Sequence, residues 1–209
     1  VVIPPRLLVA TRSAGKQREA RALLEGSGIT VLFPDEAGIW ESPEEARLEL
    51  GETFEENARA KAEYFARRSG LPTVADDSGL EVLSLGGEPG VRSKRWAGAE
   101  GPEPAVEAAN NAQLVTRLRG APESRRRARY RCVLAFVPAP GRLAHLFEGT
   151  CHGRILEAPS GTGGFGYDPL FWSDDLGKSF GEAAPEEKHR VSHRGRAFAL
   201  LRAHLEQMA

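Results

Sequence analysis

Asp76 and Asp77 stand side by side in Val74-Ala75-Asp76-Asp77-Ser78-Gly79-Leu80, where an apolar run breaks off. Thr73-Val74-Ala75 reads as the end of a buried strand and Ser78-Gly79 as a turn. Two like charges at a strand end repel one another, and a divalent cation bridging to an anionic substrate would turn that repulsion into a binding site. The plainer alternative is a solvated Asp-rich turn, which is the commoner fate of an isolated Asp-Asp-Ser-Gly. A second group, Thr11-Arg12-Ser13-Ala14-Gly15-Lys16, lies between a short apolar strand and a helix. That layout aims backbone N–H groups at an anion, and Thr11, Ser13 and Lys16 add polar side chains to a phosphate cradle. It lacks the Gly-x4-Gly-Lys-Ser/Thr spacing of a Walker A loop, so P-loop machinery is disfavoured.

Two further groups lie near the C-terminal end of the sequence. Gly161-Thr162-Gly163-Gly164-Phe165-Gly166-Tyr167-Asp168-Pro169 combines glycines with two aromatics and a carboxylate. Glycine lets backbone approach a ligand closely, Phe165 or Tyr167 suits stacking on a purine, and amides with Asp168 suit its edge. A tight turn with both aromatics in the core is the alternative. Around Ser192, the expected cap of the last helix, lie Lys188, His189, Arg190, His193 and Arg194. Cations at a helix N-terminus oppose its positive partial charge, which points to an anion held among them. The competing reading has them pointing into water.

The elements that must position these groups follow from periodicity. Leu7-Leu8-Val9-Ala10 reads as a strand, Lys16 to Leu24 as a helix, Ile29 to Phe33 as a second strand, and 34–51 as an acidic, irregular excursion. Thr53 and Glu56 form a capping box for a helix that keeps Phe54, Ala58, Ala62, Phe65 and Ala66 on one face until Gly70. Leu80 to Leu83 reads as resumed strand, Gly86-Gly87 as a turn and Pro104 to Arg119 as a helix. Arg129–Val137 and Leu143–Leu156 read as long antiparallel strands, and the last helix turns Ala197, Leu200, Leu201 and Leu205 inward. Repeats, low-complexity tracts and linkers are absent from the sequence, which reads as a single domain.

Composition narrows the partners. A formal net charge of -1 supplies no global attraction for nucleic acid or anionic lipid, so any affinity for phosphate is local. The longest basic cluster, Arg125 to Arg131, alternates with Tyr130, Cys132 and Leu134 and reads as the solvated face of a strand rather than an RNA-binding strip. Cys132 and Cys151 stand in no metal-ligand spacing, and with no secretory segment they are expected to be buried, reduced thiols of a cytoplasmic protein. Neither nucleic acid nor a membrane is expected as a partner.

The ordered motifs add a resemblance. Thr11-x4-Lys16, Thr53-Phe54-x-Glu56-Asn57-Ala58-x2-Lys61-Ala62, Ala75-Asp76-Asp77-Ser78-Gly79-Leu80, Gly90-Val91-x-Ser93-x-Arg95, Gly163-Gly164-Phe165-Gly166-Tyr167-Asp168-Pro169 and Glu187-Lys188-x3-Ser192-His193-Arg194 resemble the Ham1 family of inosine triphosphate pyrophosphatases. The resemblance runs from Thr11 to the last helix. It implies an α/β fold, an elongated mixed central sheet with flanking helices forming two lobes around a substrate cleft. It also implies a homodimeric, magnesium-dependent enzyme that converts dITP, ITP or XTP to the monophosphate and pyrophosphate. By similarity, Asp77 is general base and Mg2+ ligand, Ser78 touches substrate, and Thr11, Arg12, Ser13, Ala14, Gly15 and Lys16 hold the triphosphate. Phe165, Gly166, Tyr167, Asp168, Lys188, His193 and Arg194 would surround the nucleotide.

Two departures from the family pattern matter. Its loop usually reads Thr-Gly-Asn-x-x-Lys, so Arg12 replaces a glycine and is expected to project outward, while Ser13 keeps a hydroxyl and loses the amide's reach. Before Gly51 the family commonly has Glu-Glu, where this chain has Leu48-Glu49; Glu49, or Asp76, is then the second metal ligand. Two other functions compete: a pyrophosphatase of other nucleotides like the related Maf-type proteins, and a nucleic-acid-binding module using Arg125 to Arg131.

Overall fold

A computed structural model of the chain describes residues 6–208. Its elements in chain order are β1 (Arg6–Val9), α1 (Ala14–Leu24), β2 (Thr30–Leu32), α2 (Phe54–Ser69), β3 (Thr73–Val82), α3 (Glu103–Arg117), β4 (Arg127–Val137), β5 (His145–Ile155), β6 (Phe171–Ser173), β7 (Lys178–Ser179), α4 (Pro185–Val191) and α5 (His193–Gln207). One mixed seven-stranded sheet has the order β2-β1-β3-β4-β5-β6-β7. Strand β1 runs parallel to β2 and β3, whereas β5, β6 and β7 pair antiparallel. The chain forms two compact units. The first comprises the residues up to Asp77, Cys132–Gly149 and the residues from Gly195 on; the second comprises Ser78–Arg131 and Thr150–Arg194.

In the first unit, chain direction on either side of β1 sets the stage for a site. The crossover through α1 places β2 on one side of β1, and the later crossover through α2 places β3 on the other. Where a parallel sheet reverses its winding in this way, the loops leaving the carboxyl ends of the strands diverge and leave room for a ligand. The loop leaving β1 is 10–13. The apolar core beneath it includes Leu7, Val9, Ala20, Leu24, Val74, Leu134, Phe136 and Phe198.

The expected strand end at Ala75 is corrected by the structure. Strand β3 runs unbroken for ten residues through Asp76, Asp77, Ser78 and Gly79. What stops there is its neighbour: β1 pairs Leu8 with Thr73 and Val9 with Val74, and its last hydrogen bond runs from the Ala10 N–H to the Val74 carbonyl. The apolar pattern changes because β3 projects past the end of β1, where it faces the loop instead of a strand.

Helix α2 begins at the expected capping box, with Thr53 accepting from the Glu56 N–H, and ends at Gly70 in the left-handed region with φ of 70°. Its buried face carries Phe54, Ala58, Ala62, Phe65 and Ala66 as the period requires, but also Asn57 and Lys61. Two polar side chains on an inner face need partners there. The excursion from 34 to 51 contains one 3-10 turn, Pro43–Arg47, closed by a capping box between Ser42 and Glu45.

The second unit packs Leu80, Leu114, Tyr130, Ile155, Tyr167, Leu170, Phe171 and Phe180 into its own core. Strand β4 begins two residues before the expected Arg129, and its first six residues alternate half-buried arginines with buried Ala128, Tyr130 and Cys132. Helix α4 is an element that sequence periodicity did not reveal; Pro185 at its start and the Glu187 side chain returning to the Ala184 N–H explain it locally. Both cysteines are buried and free. No helix among the described residues is long and apolar enough to cross a membrane.

Candidate functional site

The aspartate doublet is buried, Asp76 and Asp77 being 6% and 7% exposed, which rules out a solvated turn. Each carboxylate is met by a cation from a different helix. Lys16 of α1 lies 3.0 Å from Asp76 Oδ2, and Lys61 of α2 lies 3.1 Å from Asp77 Oδ1. Asn57, one turn before Lys61 on the same face, donates to Asp77 Oδ2 at 3.0 Å. The Asn57 carbonyl oxygen in turn accepts the Gly51 N–H at 2.8 Å, and a Cβ at Gly51 would stand only 2.7 Å from that oxygen. Lys61 also donates to Glu49 Oε1 at 2.8 Å, so one ammonium joins the two carboxylates expected to hold metal. Burial alone would lower the Lys61 pKa, but the charges of Asp77, Glu49 and Asp76 outweigh it and the net shift is upward.

The loop expected to hold phosphate is a helix start. α1 begins at Ala14, two residues earlier than expected, and its first internal bond joins the Gln17 N–H to the Ser13 carbonyl. The N–H groups of Ala14, Gly15 and Lys16 are therefore among the donors that a first turn leaves without helical partners. No acidic residue occupies that turn. Thr11 Oγ1 accepts the Ser13 N–H at 3.3 Å and shapes the bend. Arg12 does not project outward. Its Nε and Nη2 grip the Glu45 carboxylate at 2.6 and 2.8 Å, its Nη1 meets Asp35 at 2.6 Å, and Nη2 also donates to the Ile39 carbonyl. The guanidinium is thus committed to the excursion, and its pKa is raised, chiefly by the Glu45 hydrogen bonds.

In the second unit, Asp168 and Lys188 form a buried ion pair at 2.5 Å, with side chains 3% and 5% exposed. Asp168 Oδ2 also accepts the Phe165 N–H at 2.8 Å, which folds the glycine loop over the carboxylate. Gly164 is obligatory in that loop: its φ is +73° and a Cβ would come within 2.1 Å of Asp168 Oδ2. The Phe165 ring has the Lys188 ammonium 4.9 Å and the Arg194 guanidinium 5.6 Å from its centre. Arg194 donates to Ser78 Oγ at 2.7 Å, and His193 stacks on Tyr130 at 4.6 Å with planes 8° apart. Gly166, at φ of +63°, accepts from the Asn111 amide through its carbonyl.

Three expectations change here. Tyr167 belongs to the core: it is 5% exposed, its hydroxyl donates to the Ser93 carbonyl at 2.8 Å, and burial raises its pKa. Of the two aromatics, Phe165, which is half-buried, is the one left as a candidate for stacking on a ligand. Lys188, His189 and Arg190 lie in the last turn of α4, the end at which a helix favours cations, so no bound anion is needed to explain them. His193 and Arg194 do open α5, but at 4% and 2% exposure they are not directed into water.

The basic strip is largely engaged. Arg126 is 5% exposed and donates to the carbonyls of Leu118, Ala121 and Leu156, Arg127 pairs with Asp174, and Arg129 with Glu81. Among the described residues no group of three or more His, Cys, Asp or Glu side chains forms a metal cage. Glu49 and Asp77 nevertheless fit a hard divalent cation, which characteristically takes one or two carboxylates and draws its other ligands from water and substrate phosphates. Asn57 and Lys61 were not singled out as site residues. Their signal was two polar side chains four apart on a helix face otherwise apolar.

The profile of the Ham1 family matches residues 7–204. The dITP/XTP pyrophosphatase of Geobacter sulfurreducens is 48% identical over 204 residues, covering 96% of each chain. That of Geobacillus kaustophilus is 46% identical and covers 97% of this chain and 95% of its own. A solved HAM1 protein structure from Coxiella burnetii superposes with a TM-score of 0.83 at 32% identity, covering 97% of this chain and 98% of that one.

Proposed function

The chain belongs to the Ham1 family, and we propose that it hydrolyses dITP, ITP and XTP to the nucleoside monophosphate and pyrophosphate, removing these non-standard purine nucleotides from the pool. It is a hydrolase of acid anhydrides, like the dITP/XTP pyrophosphatases it resembles along nearly its whole length. The observation that carries the reading is the arrangement on Asp77. A buried carboxylate, oriented by Asn57 and Lys61, stands where β3 outruns β1, next to Asp76, which Lys16 of α1 meets at 3.0 Å.

Each residue then has a task. The N–H groups at the start of α1, with Thr11, Ser13 and Lys16, hold the triphosphate. Asp77 accepts the proton of a water whose oxygen bonds to the α-phosphorus, while the bond from that phosphorus to the αβ-bridging oxygen breaks and pyrophosphate departs. Lys16 stabilises the charge that gathers on the departing group. Glu49 and Asp77 would hold Mg2+, which supplies charge neutralisation for the phosphate oxygens when bound.

For the base, Lys188 and Arg194 offer hydrogen-bond donors only, and Phe165 offers a ring face. Donors suit the 6-keto oxygen of hypoxanthine and xanthine and are left unpaired against the 6-amino group of adenine, a sizeable penalty in a buried site. GTP keeps the 6-keto oxygen, so its exclusion falls to the surroundings of the 2-amino group. We further propose a cytoplasmic homodimer, on the strength of the family resemblance.

A panel of triphosphates with Mg2+, scored for pyrophosphate against orthophosphate, tests the reading. Pyrophosphate is expected as first product, with dITP, ITP and XTP consumed well ahead of dATP and dGTP. Orthophosphate as first product, or equal rates on dATP and dITP, would reject it.

A further inference from the structure

We propose that Arg12 is a positioning residue: it clasps the triphosphate loop to the segment that carries Glu49 and so sets the metal-binding carboxylate from the phosphate side. The inference rests on the proposed roles of Glu49 and Asp77. Its basis is a continuous series of contacts within the first unit. Arg12 grips both oxygens of Glu45 through a two-pronged bond at 2.6 and 2.8 Å. Such planar, paired bonds fix orientation as well as distance, which a lysine at the same place could not do. Glu45 is itself the keystone of the 43–47 turn. Its Oε1 accepts the Ser42 N–H at 3.2 Å, and its carbonyl accepts the Leu48 N–H at 3.0 Å. The next residue is Glu49, which reaches Lys61 at 2.8 Å, and Lys61 reaches Asp77 at 3.1 Å.

The segment has few other means of holding its place. Ile39 is buried at its start, and the Ser42 and Tyr64 hydroxyls meet at 3.0 Å, but Trp40 is 76% and Leu50 70% exposed. Apolar burial therefore contributes little on either side of Glu45, and polar bonds must supply the register. Asp35 on Nη1 and the Ile39 carbonyl, a second acceptor for Nη2, complete the clasp, and the Phe65 ring lies 5.9 Å from the guanidinium. The clasp commits the Arg12 side chain to the 34–51 excursion.

The test uses the full chain with Arg12→Gly, Arg12→Lys, Glu45→Gln and the Arg12→Gly/Glu45→Gln double variant. Hydrolysis of dITP is followed across Mg2+ concentrations, and hydrogen exchange of residues 42–50 is read without ligand. Loss of a group that orients a metal ligand typically weakens metal affinity by about 10–100-fold. The expected result is a rise of about tenfold in half-activating Mg2+ for every variant. At saturating Mg2+, KM for dITP should move by less than about threefold, and the double variant should be no worse than either single, as partners in one interaction behave. Exchange should quicken in 42–50 in each. A raised KM with unchanged Mg2+ requirement would show that Arg12 touches substrate and overturn the proposal. Faster exchange with unchanged Mg2+ requirement would also overturn it, leaving only a structural tie. Should the wild type release no pyrophosphate from dITP, the functional reading fails by itself. Mn2+ affinity measured by electron paramagnetic resonance without nucleotide then decides the clasp, equal values for wild type and Arg12→Gly overturning it.

Discussion

Lys61 Nζ stands 3.1 Å from Asp77 Oδ1, and both side chains are only 9% exposed. The aspartate doublet poses a repulsion, and this protein answers it with two lysines before any ligand arrives: Lys61 for Asp77 and Lys16 for Asp76. A carboxylate met by an ammonium and an amide in this way is held in place in the structure itself. The geometry separates holding the carboxylate, done by Lys61 and Asn57, from using it.

Replacing Lys61 by methionine should therefore act on stability and metal response together. Breaking a buried pair by removing one partner costs about 3–5 kcal/mol, because the group left behind is buried without its counter-charge. A metal that takes the same carboxylates would recover part of that loss through its binding free energy. Thermal unfolding with and without Mg2+ checks this: the rise in Tm on adding Mg2+ is expected to be larger in Lys61→Met than in the wild type. Equal rises would mean that ammonium and metal do not share Asp77 and Glu49.

The pH dependence of that stabilisation has a definite sign. Burial pulls the Lys61 pKa down, the charges of Asp77, Glu49 and Asp76 push it up further, and the folded-state value ends above the unfolded value of 10.5. A group shifted this way contributes fully below its unfolded pKa and loses the contribution as pH rises through the folded one. The stability difference between wild type and Lys61→Met, from urea titrations, should stay level between about pH 6 and about pH 9 and narrow only in stronger alkali. A difference that closes within that neutral window would contradict the upward shift.

Asp77→Asn tests the proton-accepting role. Asparagine has nearly the same shape, and Lys61 retains Glu49, so the fold should persist with a stability change below about 2 kcal/mol. Turnover of dITP should fall by about 10²–10⁴-fold, the range that a positioned general base supplies. Near-normal turnover would remove Asp77 from the chemistry.

How far the fold could be read from the chain follows from what each signal measures. Helix α2 was legible to its cap and its terminal glycine because Thr53, Glu56, Gly70 and the apolar face are all local signals. Strand β3 was cut short because periodicity registers burial by neighbours, and the neighbour β1 ends at Val9. Helix α4 escaped because seven residues are too few for a helical face to declare itself. Arg12 was misplaced because its partners, Glu45 and Asp35, are 33 and 23 residues away in a stretch without periodicity. The residues of the site were legible as types; the ion pairs that join them were not.

The glycine loop offers a paired comparison. Gly164 and Gly166 both have positive φ, +73° and +63°, so an alanine at either meets a backbone penalty of about 1–2 kcal/mol. Only at Gly164 would the new Cβ also strike a neighbour, Asp168 Oδ2 at 2.1 Å, and that carboxylate is held by Lys188 and the Phe165 N–H. Gly166→Ala should thus cost about 1–2 kcal/mol and Gly164→Ala more than about 3 kcal/mol in urea titrations. Equal costs would mean that the Asp168 side chain gives way.

The Asp168–Lys188 pair allows folding and base selection to be separated. Lys188→Met keeps most of the stem that packs near Phe165 and Phe180 but leaves Asp168 charged and 2% exposed, at a cost of about 3–5 kcal/mol. Adding Asp168→Asn removes the stranded charge, so the double variant should regain most of the stability, because an uncharged pair of similar volume avoids the desolvation penalty. Selection should not return with it. If Lys188 donates to the 6-keto oxygen, the double variant folds normally yet prefers dITP over dATP by at least about tenfold less than the wild type, the size of one lost buried hydrogen bond. The ratio of kcat/KM values for the two substrates reads this directly. Wild-type preference in a stable double variant would assign the pair to the scaffold of the glycine loop and move recognition of the base to Arg194.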